Sequence, residues 1–219
     1  KVSENCAVFS PYPTVPMMFF HHNAEEYRHS PDWYRNFVYE KEKERGLDCL
    51  EDLWMPGEFE FDLSSGRKAF IICTLGGEAG SGVETLMELE KHRRNQAAKK
   101  AEPGGDAARI LSLSADQFVC QAGATGRTIV AGYHWFEDWG RDAFVSMPGL
   151  LLSRGENRAA RDVFARFASR LNAGVAPGYF SSDTGRPEYN SADAGLWMIA
   201  AVSAYLRRTG DLDYVEKNL

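Results

Sequence analysis

The most informative segment of the chain is Ala131-Gly132-Tyr133-His134-Trp135-Phe136-Glu137-Asp138-Trp139-Gly140-Arg141-Asp142. Four aromatic residues and three carboxylates lie within ten residues of one another in it, with one arginine among them. Aromatic side chains present large, flat apolar faces, and guanidinium and carboxylate groups bind polar groups in fixed geometry. A sugar ring suits both, because its C–H faces are apolar and its rim carries hydroxyls. The segment therefore predicts a sugar-binding site.

Two carboxylates of this segment, Asp138 and Asp142, are four residues apart. If a helix has begun by Asp138, their Cβ atoms share one face at a separation of about 5–6 Å. A pair of carboxylates is what glycoside hydrolysis needs. The alternative is a salt-bridged helix start, in which Asp142 interacts with the positive end of the helix dipole. The residues alone leave both interpretations open.

A second polar segment follows a predicted loop of about 18 residues, which is longer than the usual helix–helix connection of about 2–8 residues. The loop contains Gly174–Phe180 and Pro187–Asp193. Asn190, Ser191 and Asp193 cluster where the next helix is predicted to begin. Long ordered loops are often functional, but capping of that helix by Asn190 or Ser191 explains the cluster equally well.

Histidines are concentrated near the front of the chain, at His21, His22 and His29. The spacing that places two metal-binding histidines on one helix face, with a glutamate after the first, is absent. We therefore interpret these histidines as surface or interface residues. The sequence predicts no metal site and no cofactor.

The hydrophobic periodicity changes near residue 80, at the glycine-rich stretch 76–82. Before it, apolar alternation over 58–63 and an apolar run over 69–73 predict a β-hairpin. After it, the period becomes helical, and helices are predicted over about 83–101, 107–120, 141–153 and 191–207. A further helix has a clean buried stripe, made of Ala159, Val163, Phe167 and Leu171. In two of the helices the residues predicted to face inward are Ile110, Leu111, Phe118 and Val119, and Ala192, Leu196, Ile199, Val202 and Leu206.

Composition excludes several classes of protein. The 219 residues contain 25 Lys and Arg against 31 Asp and Glu, a formal net charge of -6, which is unlike a nucleic-acid-binding domain. No apolar run approaches the 18 or so residues of a membrane span, and no signal peptide opens the chain. The four cysteines are widely spaced, which is typical of reduced thiols in a cytoplasmic protein. The oligomeric state cannot be predicted.

Three segments carry a resemblance to a known family. Residues 133–142 resemble a signature of glycogen debranching enzymes of the prokaryotic amylo-α-1,6-glucosidase type, and residues 189–197 resemble a second one. Stretches over 21–53 resemble the end of that family's β-rich N-terminal domain. Two departures are local, because His134 stands where the family commonly has proline and Ala143 where it commonly has threonine.

The resemblance implies a mixed fold. Residues 1–80 would be the C-terminal part of a β-rich N-terminal domain. Residues 81–219 would hold a linker helix and the first helices of an (α/α)6 toroid, a ring of twelve paired helices. We expect the chain to be a fragment, since it opens without Met and its last predicted helix has only eight residues after Asp211.

The resemblance also implies an activity: inverting acid/base hydrolysis of the α-1,6-linked glucose at the branch points of glycogen or another branched α-glucan. Arg141 and Asp142 would hold the terminal glucose, and the loop Asn190–Asp193 would line the same pocket. The main acid and base would lie beyond Leu219, with Asp193 as a fallback catalytic candidate. The full set of predicted substrate-binding residues is Trp135, Asp138, Trp139, Arg141, Asp142, Tyr189, Asn190 and Asp193.

Two alternatives remain. One is a different toroid glucosidase, similar to trehalases or glucoamylases. The other is a glycan-binding fragment without catalytic activity, because this chain is expected to lack the main catalytic carboxylates.

Overall fold

The computed structural model describes residues 2–10, 12–13, 15–75, 82–99, 104–123, 126–132, 136–181 and 185–219. The contacts divide the chain into two compact units, unit 1 (1–89) and unit 2 (90–219). Unit 1 is rich in strands, and nearly all of the helical residues lie in unit 2 or in the helix that crosses the division. The chain therefore has the mixed layout that the sequence predicts.

The described residues of unit 1 form one four-stranded antiparallel sheet and two two-stranded ones. The strands are β1 (Val2–Ser3), β2 (Cys6–Phe9), β3 (Met18–His22), β4 (Glu26–Arg28), β5 (Asp32–Val38), β6 (Leu50–Met55), β7 (Glu58–Glu60) and β8 (Ile71–Thr74), with a short helix α1 (Glu40–Glu44) between β5 and β6. The large sheet has the order β1-β2-β3-β8, while β4 pairs with β7 and β5 with β6. Phe9 lies at the centre of the apolar packing, with its ring against those of Phe20, Tyr27 and Trp54.

The predicted hairpin over 58–73 is wrong. Both of its strands exist, but β7 pairs with β4, through Tyr27 opposite Phe59, and β8 pairs with β3. The intervening residues 64–66 form a turn of 3-10 helix. Each strand finds a partner distant in sequence because burial of its apolar side chains there outweighs the shorter loop of a local hairpin.

His22 is buried in unit 1, so its interpretation as a surface or interface residue is wrong, and its burial predicts that the stability of the unit depends on pH. The residue is 4% exposed, its Nδ1 accepts a hydrogen bond from the Ala24 N–H at 3.2 Å, and its ring lies 4.7 Å from that of Phe59. Burial, and then the neighbouring His21, lower the pKa of His22. The unfolded chain, with an ordinary pKa of about 6.5, binds more protons than the folded chain below that pH, so stability must fall as the pH falls.

We therefore expect the urea midpoint of unit 1 to decrease between about pH 7 and pH 5. Replacing His22 by phenylalanine removes the titrating group and should flatten this part of the profile. Unfolding curves of both proteins at several pH values test the expectation. An equal slope in wild type and His22→Phe would contradict it.

Unit 2 is mainly helical. Its elements are α3 (Gly105–Asp116), β9 (Val119–Ala122), β10 (Gly126–Ile129), α4 (Gly140–Leu150), α5 (Asn157–Ala168), β11 (Tyr179–Phe180), β12 (Pro187–Glu188), α6 (Ala194–Thr209) and α7 (Leu212–Asn218), and α2 (Val83–Lys99) crosses the division between the units. A turn of 3-10 helix, 152–154, follows α4. The strands pair as two short antiparallel hairpins, β9 with β10 and β11 with β12.

The core of unit 2 lies between α4, α5 and α6. α4 packs extensively on α6, and the ring of Phe144 on α4 contacts those of Phe164 and Phe167 on α5. The stripe predicted for α5 is confirmed at Ala159, Val163 and Phe167, which are buried, whereas Leu171 lies past the end of the helix and is 43% exposed.

The buried faces predicted for two other helices are wrong at most positions, although Val202 and Val119 are partly buried against the core. On α6 the buried residues are Ala194, Met198, Ala201 and Tyr205, whereas Leu196 and Ile199 are more than two-thirds exposed. This helix is apolar on both sides, so periodicity alone could not select the inner one. On α3 the residues Ile110 and Leu111 are exposed, and the helix ends at Asp116, so Val119 begins a strand instead.

Candidate functional site

The predicted sugar-binding segment ends in the first turn of α4. Trp139 has an extended backbone and precedes the helix, and its carbonyl accepts the first helical hydrogen bond, from the Ala143 N–H at 2.8 Å. The helix buries Ala143 and Phe144, so Arg141 and Asp142 lie on its exposed side. Because α4 begins at Gly140, Asp138 lies before it, and no helical face is shared by the two aspartates.

Gly140 fixes this corner against the long loop 174–193. Its N–H donates to the carbonyl of Gly178 at 2.8 Å. A Cβ atom at Gly140 would lie 2.5 Å from the Pro177 carbonyl oxygen and 3.2 Å from the Ala194 Cβ. Only glycine permits so close an approach of two backbones. The corner and the loop are therefore held together by main-chain contact.

An ion pair joins the corner to the start of α6. The Arg141 guanidinium lies 2.7 Å from the Asp193 carboxylate, and the Ser191 hydroxyl donates to the other oxygen of that carboxylate, also at 2.7 Å. The Ser191 hydrogen bond, and next the Arg141 partner, lower the pKa of Asp193. A general acid of glycoside hydrolysis needs a raised pKa, so this shift has the opposite sign from the one that the fallback role of Asp193 requires.

Asp142 has a different environment from Asp193. Its backbone carbonyl accepts a hydrogen bond from the Ser146 hydroxyl at 2.5 Å. Within the part of the chain that the structure describes, no cation lies within ion-pair distance of its exposed carboxylate. The carboxylate is therefore available for hydroxyl groups of a ligand.

Two aromatic rings stack beside the corner. The ring of Trp139 lies 4.8 Å from that of Tyr179, with 24° between the planes, and the two backbones form an isolated β-bridge. Both side chains are half-buried. We name these two rings the ring pair.

An ion pair joins Asp138, the residue before Trp139, to Arg166, whose side chain is 32% exposed. Asp138 is 6% exposed and accepts hydrogen bonds from Arg166 Nε at 2.6 Å and from the Thr128 hydroxyl at 3.0 Å. The Arg166 guanidinium also lies 4.1 Å from the ring centre of Phe180. Burial raises the pKa of Asp138, and the Arg166 partner opposes that rise. The carboxylate is thus engaged inside the protein, away from solvent.

The remaining predicted residues lie on the loop side. The Tyr189 hydroxyl donates to the Arg170 carbonyl at 2.6 Å, with the side chain 40% exposed. Asn190 is exposed, and its side-chain oxygen lies over Gly178, where a Cβ would be only 2.1 Å away. Trp135 lies outside the described residues. The structure therefore links Arg141 to Asp193, Trp139 to Tyr179, and the Asn190 side chain to Gly178, whose carbonyl accepts from Gly140. Asp142 is exposed in the first turn of α4, whereas Asp138 is buried against Arg166 and Thr128.

Comparison with known proteins adds to this geometry. Residues 1–70 match the family described as "Glycogen debranching enzyme N terminal", and residues 113–219 match the one described as "Amylo-alpha-1,6-glucosidase". The chain belongs to the glycogen debranching enzyme family. The family resemblance of the three sequence segments is confirmed, and both described parts fall in the order that the resemblance implies.

Among curated relatives, a glycogen debranching enzyme of Saccharomyces cerevisiae is 39% identical to this chain over 69 residues. That stretch is 31% of the chain and 4% of the yeast protein, so the matched part spans a small fraction of that relative. No solved structure matches the chain.

Two general features complete the description of this family member. Among the described residues, no group of three or more histidine, cysteine, aspartate or glutamate side chains is arranged to hold a metal ion. Of the helices in the same residues, none is both long enough and apolar enough to cross a membrane.

Sequence reasoning missed several residues that build this corner. Tyr179 lies in the quoted loop but gave no sign of stacking on Trp139, because the contact joins residues 40 positions apart. Arg166 had no signal in the sequence, since one charged residue on the rim of an amphipathic helix is usual. Thr128 likewise reaches Asp138 only through the β9–β10 hairpin.

Proposed function

We propose that this chain supplies the glucan-binding corner of an amylo-α-1,6-glucosidase acting on glycogen or another branched α-glucan. The observation that carries the proposal is the Arg141–Asp193 pair at 2.7 Å, inside the stretch that matches the amylo-α-1,6-glucosidase family. The proposal adds the exposed carboxylate of Asp142, next to Arg141 in the chain, to this guanidinium and the Asp193 carboxylate. Such groups bind the hydroxyl rim of a terminal glucose, and the adjacent ring pair offers an apolar face for its C–H groups.

The proposal gives each residue a role. Arg141 and Asp142 contact sugar hydroxyls, and Asp193 orients Arg141. Asp138 supports the corner from behind and does not contact the glucan. The contacts proposed for Trp135, Tyr189 and Asn190 stay predictions.

The catalytic step and the wider architecture are also part of the proposal. The main acid and base lie beyond Leu219 and act with inversion, for which the two carboxyl groups stand about 6.5–9.5 Å apart to admit a water molecule. Residues 1–80 belong to a β-rich N-terminal domain, and residues 81–219 to the first part of an (α/α)6 toroid. A cytoplasmic location stays a prediction.

Replacing Arg141 by alanine tests the binding role. We expect the variant to bind glycogen limit dextrin roughly 10- to 100-fold more weakly, because it loses charge-assisted hydrogen bonds to the sugar. Calorimetric titration of the 219-residue chain measures the affinity. Arg207→Ala is the control, since Arg207 is exposed near the opposite end of α6 and donates to Ser203 on the same helix. Equal affinities of Arg141→Ala and wild type would exclude Arg141 from the site.

A second candidate function is glycan binding without hydrolysis by this chain. It is favoured by one observation: among the described carboxylates whose pKa is shifted, the one that is raised belongs to Asp138, which is buried and paired. The 219-residue chain should then bind limit dextrin and release no glucose from it. Release of glucose from the limit dextrin would overturn this candidate, and tighter binding of trehalose than of limit dextrin would favour a trehalase-like relative instead.

A further inference from the structure

Two pairs of consecutive residues in unit 2 make similar contacts. In each pair one residue contributes an aromatic ring to the ring pair and the other contacts Arg166. In the first pair, Trp139 contributes a ring to the ring pair, while Asp138 accepts from Arg166. In the second, Tyr179 contributes the other ring, while Phe180 lies under the Arg166 guanidinium. The Arg166 side chain thus contacts the residue before Trp139 and the residue after Tyr179.

We propose that Arg166 is a positioning residue, which sets the stacking of Trp139 on Tyr179 so that the ring pair can receive a glucan. The inference rests on the proposed function for the identity of the ligand. The contacts of Arg166 with Asp138 and Phe180 exist without any ligand, so its effect on the ring pair can be measured separately.

The chemistry of arginine suits this role. Its planar guanidinium can donate in its plane to a carboxylate and lie with its face on an aromatic ring at the same time. Here Nε donates to Asp138 at 2.6 Å, and the carbon of the guanidinium lies 4.1 Å from the Phe180 ring centre. A lysine has one compact ammonium on a flexible stem and cannot fill both positions in the same way.

Arg166 lies on a helix that packs against Phe180 through a second residue. It lies on α5 beside Phe167, which is buried and contacts the edge of Phe180 at 5.0 Å between ring centres. Phe180 is therefore held by two consecutive residues of one helix. On the other side, Thr128 of β10 donates to the same Asp138 oxygen as Arg166 does. Contacts from a helix and a hairpin thus converge on Asp138 and Phe180, the residues next to those that carry the two rings.

The test uses the indole N–H signal of Trp139 in NMR spectra of the ligand-free 219-residue chain. The signal is assigned with Trp139→Phe, and the stacking contribution is defined by Tyr179→Ala. We expect Arg166→Met to move the Trp139 indole signal by at least half as far as Tyr179→Ala moves it. Arg166→Lys should bring the signal only part of the way back to its wild-type position. Arg158→Met is the matched control, because Arg158 is an exposed arginine on the same helix, and it should leave the signal unchanged.

Loss of Arg166 also leaves a buried carboxylate without its cation, so a double variant separates that effect from positioning. Arg166→Met with Asp138→Leu removes the uncompensated charge and should recover much of the folding stability, yet its indole signal should remain displaced. A folded double variant whose Trp139 signal stays at the wild-type position would overturn the proposal.

Glucan binding gives the second readout. The double variant should bind limit dextrin roughly fivefold more weakly, the scale of one aromatic contact, while Arg158→Met binds like wild type. If the double variant binds limit dextrin like wild type although its indole signal is displaced, the proposal that the ring pair receives a glucan would be refuted. If wild type itself does not bind limit dextrin, the proposed function fails, and the ligand-free spectra still decide whether Arg166 positions the ring pair.

Discussion

Gly140→Ala is expected to destabilise unit 2 by about 3 kcal/mol, at the upper end of the usual cost of overpacking. The added Cβ would lie 2.5 Å from the Pro177 carbonyl oxygen, a backbone atom, and 3.1 Å from the Phe167 ring. A flexible side chain could move aside, but this backbone is held by the hydrogen bond from the Gly140 N–H to the Gly178 carbonyl. The corner and the loop must therefore separate, and we expect glucan binding to be lost with them.

The same helix provides a matched control for this substitution. Gly149 also lies in α4, and a Cβ there would meet nothing within 4 Å. Gly149→Ala should leave stability unchanged or raise it by about 0.5–1 kcal/mol, because alanine restricts the unfolded chain and favours the helix. Urea unfolding followed by amide signals of unit 2 measures both variants. Equal stability of Gly140→Ala and Gly149→Ala would show that the close approach at Gly140 has no energetic weight.

The second large effect concerns a buried arginine in the first part of unit 2. The side chain of Arg154 is 5% exposed and lies 3.1 Å from the Asp116 carboxylate. It also donates to the hydroxyl of Ser112 at 3.1 Å and to the Leu150 carbonyl at 3.3 Å. Burial lowers the pKa of the Arg154 guanidinium. These bonds connect α3 with the end of α4.

Arg154→Ala should destabilise unit 2 by about 3 kcal/mol, the lower end of the cost of breaking a buried ion pair. We expect the loss of stability to be near the lower end of this range, because Arg93 also contacts Asp116 and compensates part of the Asp116 charge. For a chain of this size the melting temperature should fall by roughly 6–12 °C. Calorimetry or amide hydrogen exchange of α3 measures the change.

Arg93 supplies the control, since it contacts the same carboxylate from a more exposed position. Its side chain is 53% exposed, so its ion pair with Asp116 is screened by water. Arg93→Ala should therefore cost less than about 1 kcal/mol. If the two alanine variants lose the same stability, burial of Arg154 is not the source of the effect.

Local patterns in the sequence predicted the elements better than their partners. The stripe Ala159, Val163 and Phe167 predicted the buried face of α5, because one side of that helix is apolar and the other is charged. The start of α4 was also predicted to within a residue. In the same way, the residue types of 133–142 and 189–197 were sufficient to recognise the family, since such signatures depend on the order of residues alone.

The predictions failed where a choice depended on distant residues. The strand at 58–60 was recognised, but its partner β4 lies some 30 residues earlier, and strand pairing depends on which apolar faces can be buried together. On α6, both faces carry apolar residues, so the inner one was selected by packing against α4 rather than by the period of the helix. Ile110 and Leu111 on α3 show the same limit, because an apolar side chain is buried only where a neighbour covers it.

At the candidate site, order along the chain was enough to predict Arg141, Asp142 and Asp193 as site residues. It could not show that Asp193 pairs with Arg141, or that Asp138 faces inward to Arg166. Those contacts depend on the three-dimensional approach of α4, α5 and the loop before α6, which the backbone of Gly140 permits. Residue types were therefore sufficient to predict a site, whereas long-range packing decided which charged groups are exposed, such as Arg141 and Asp142, and which is buried, such as Asp138.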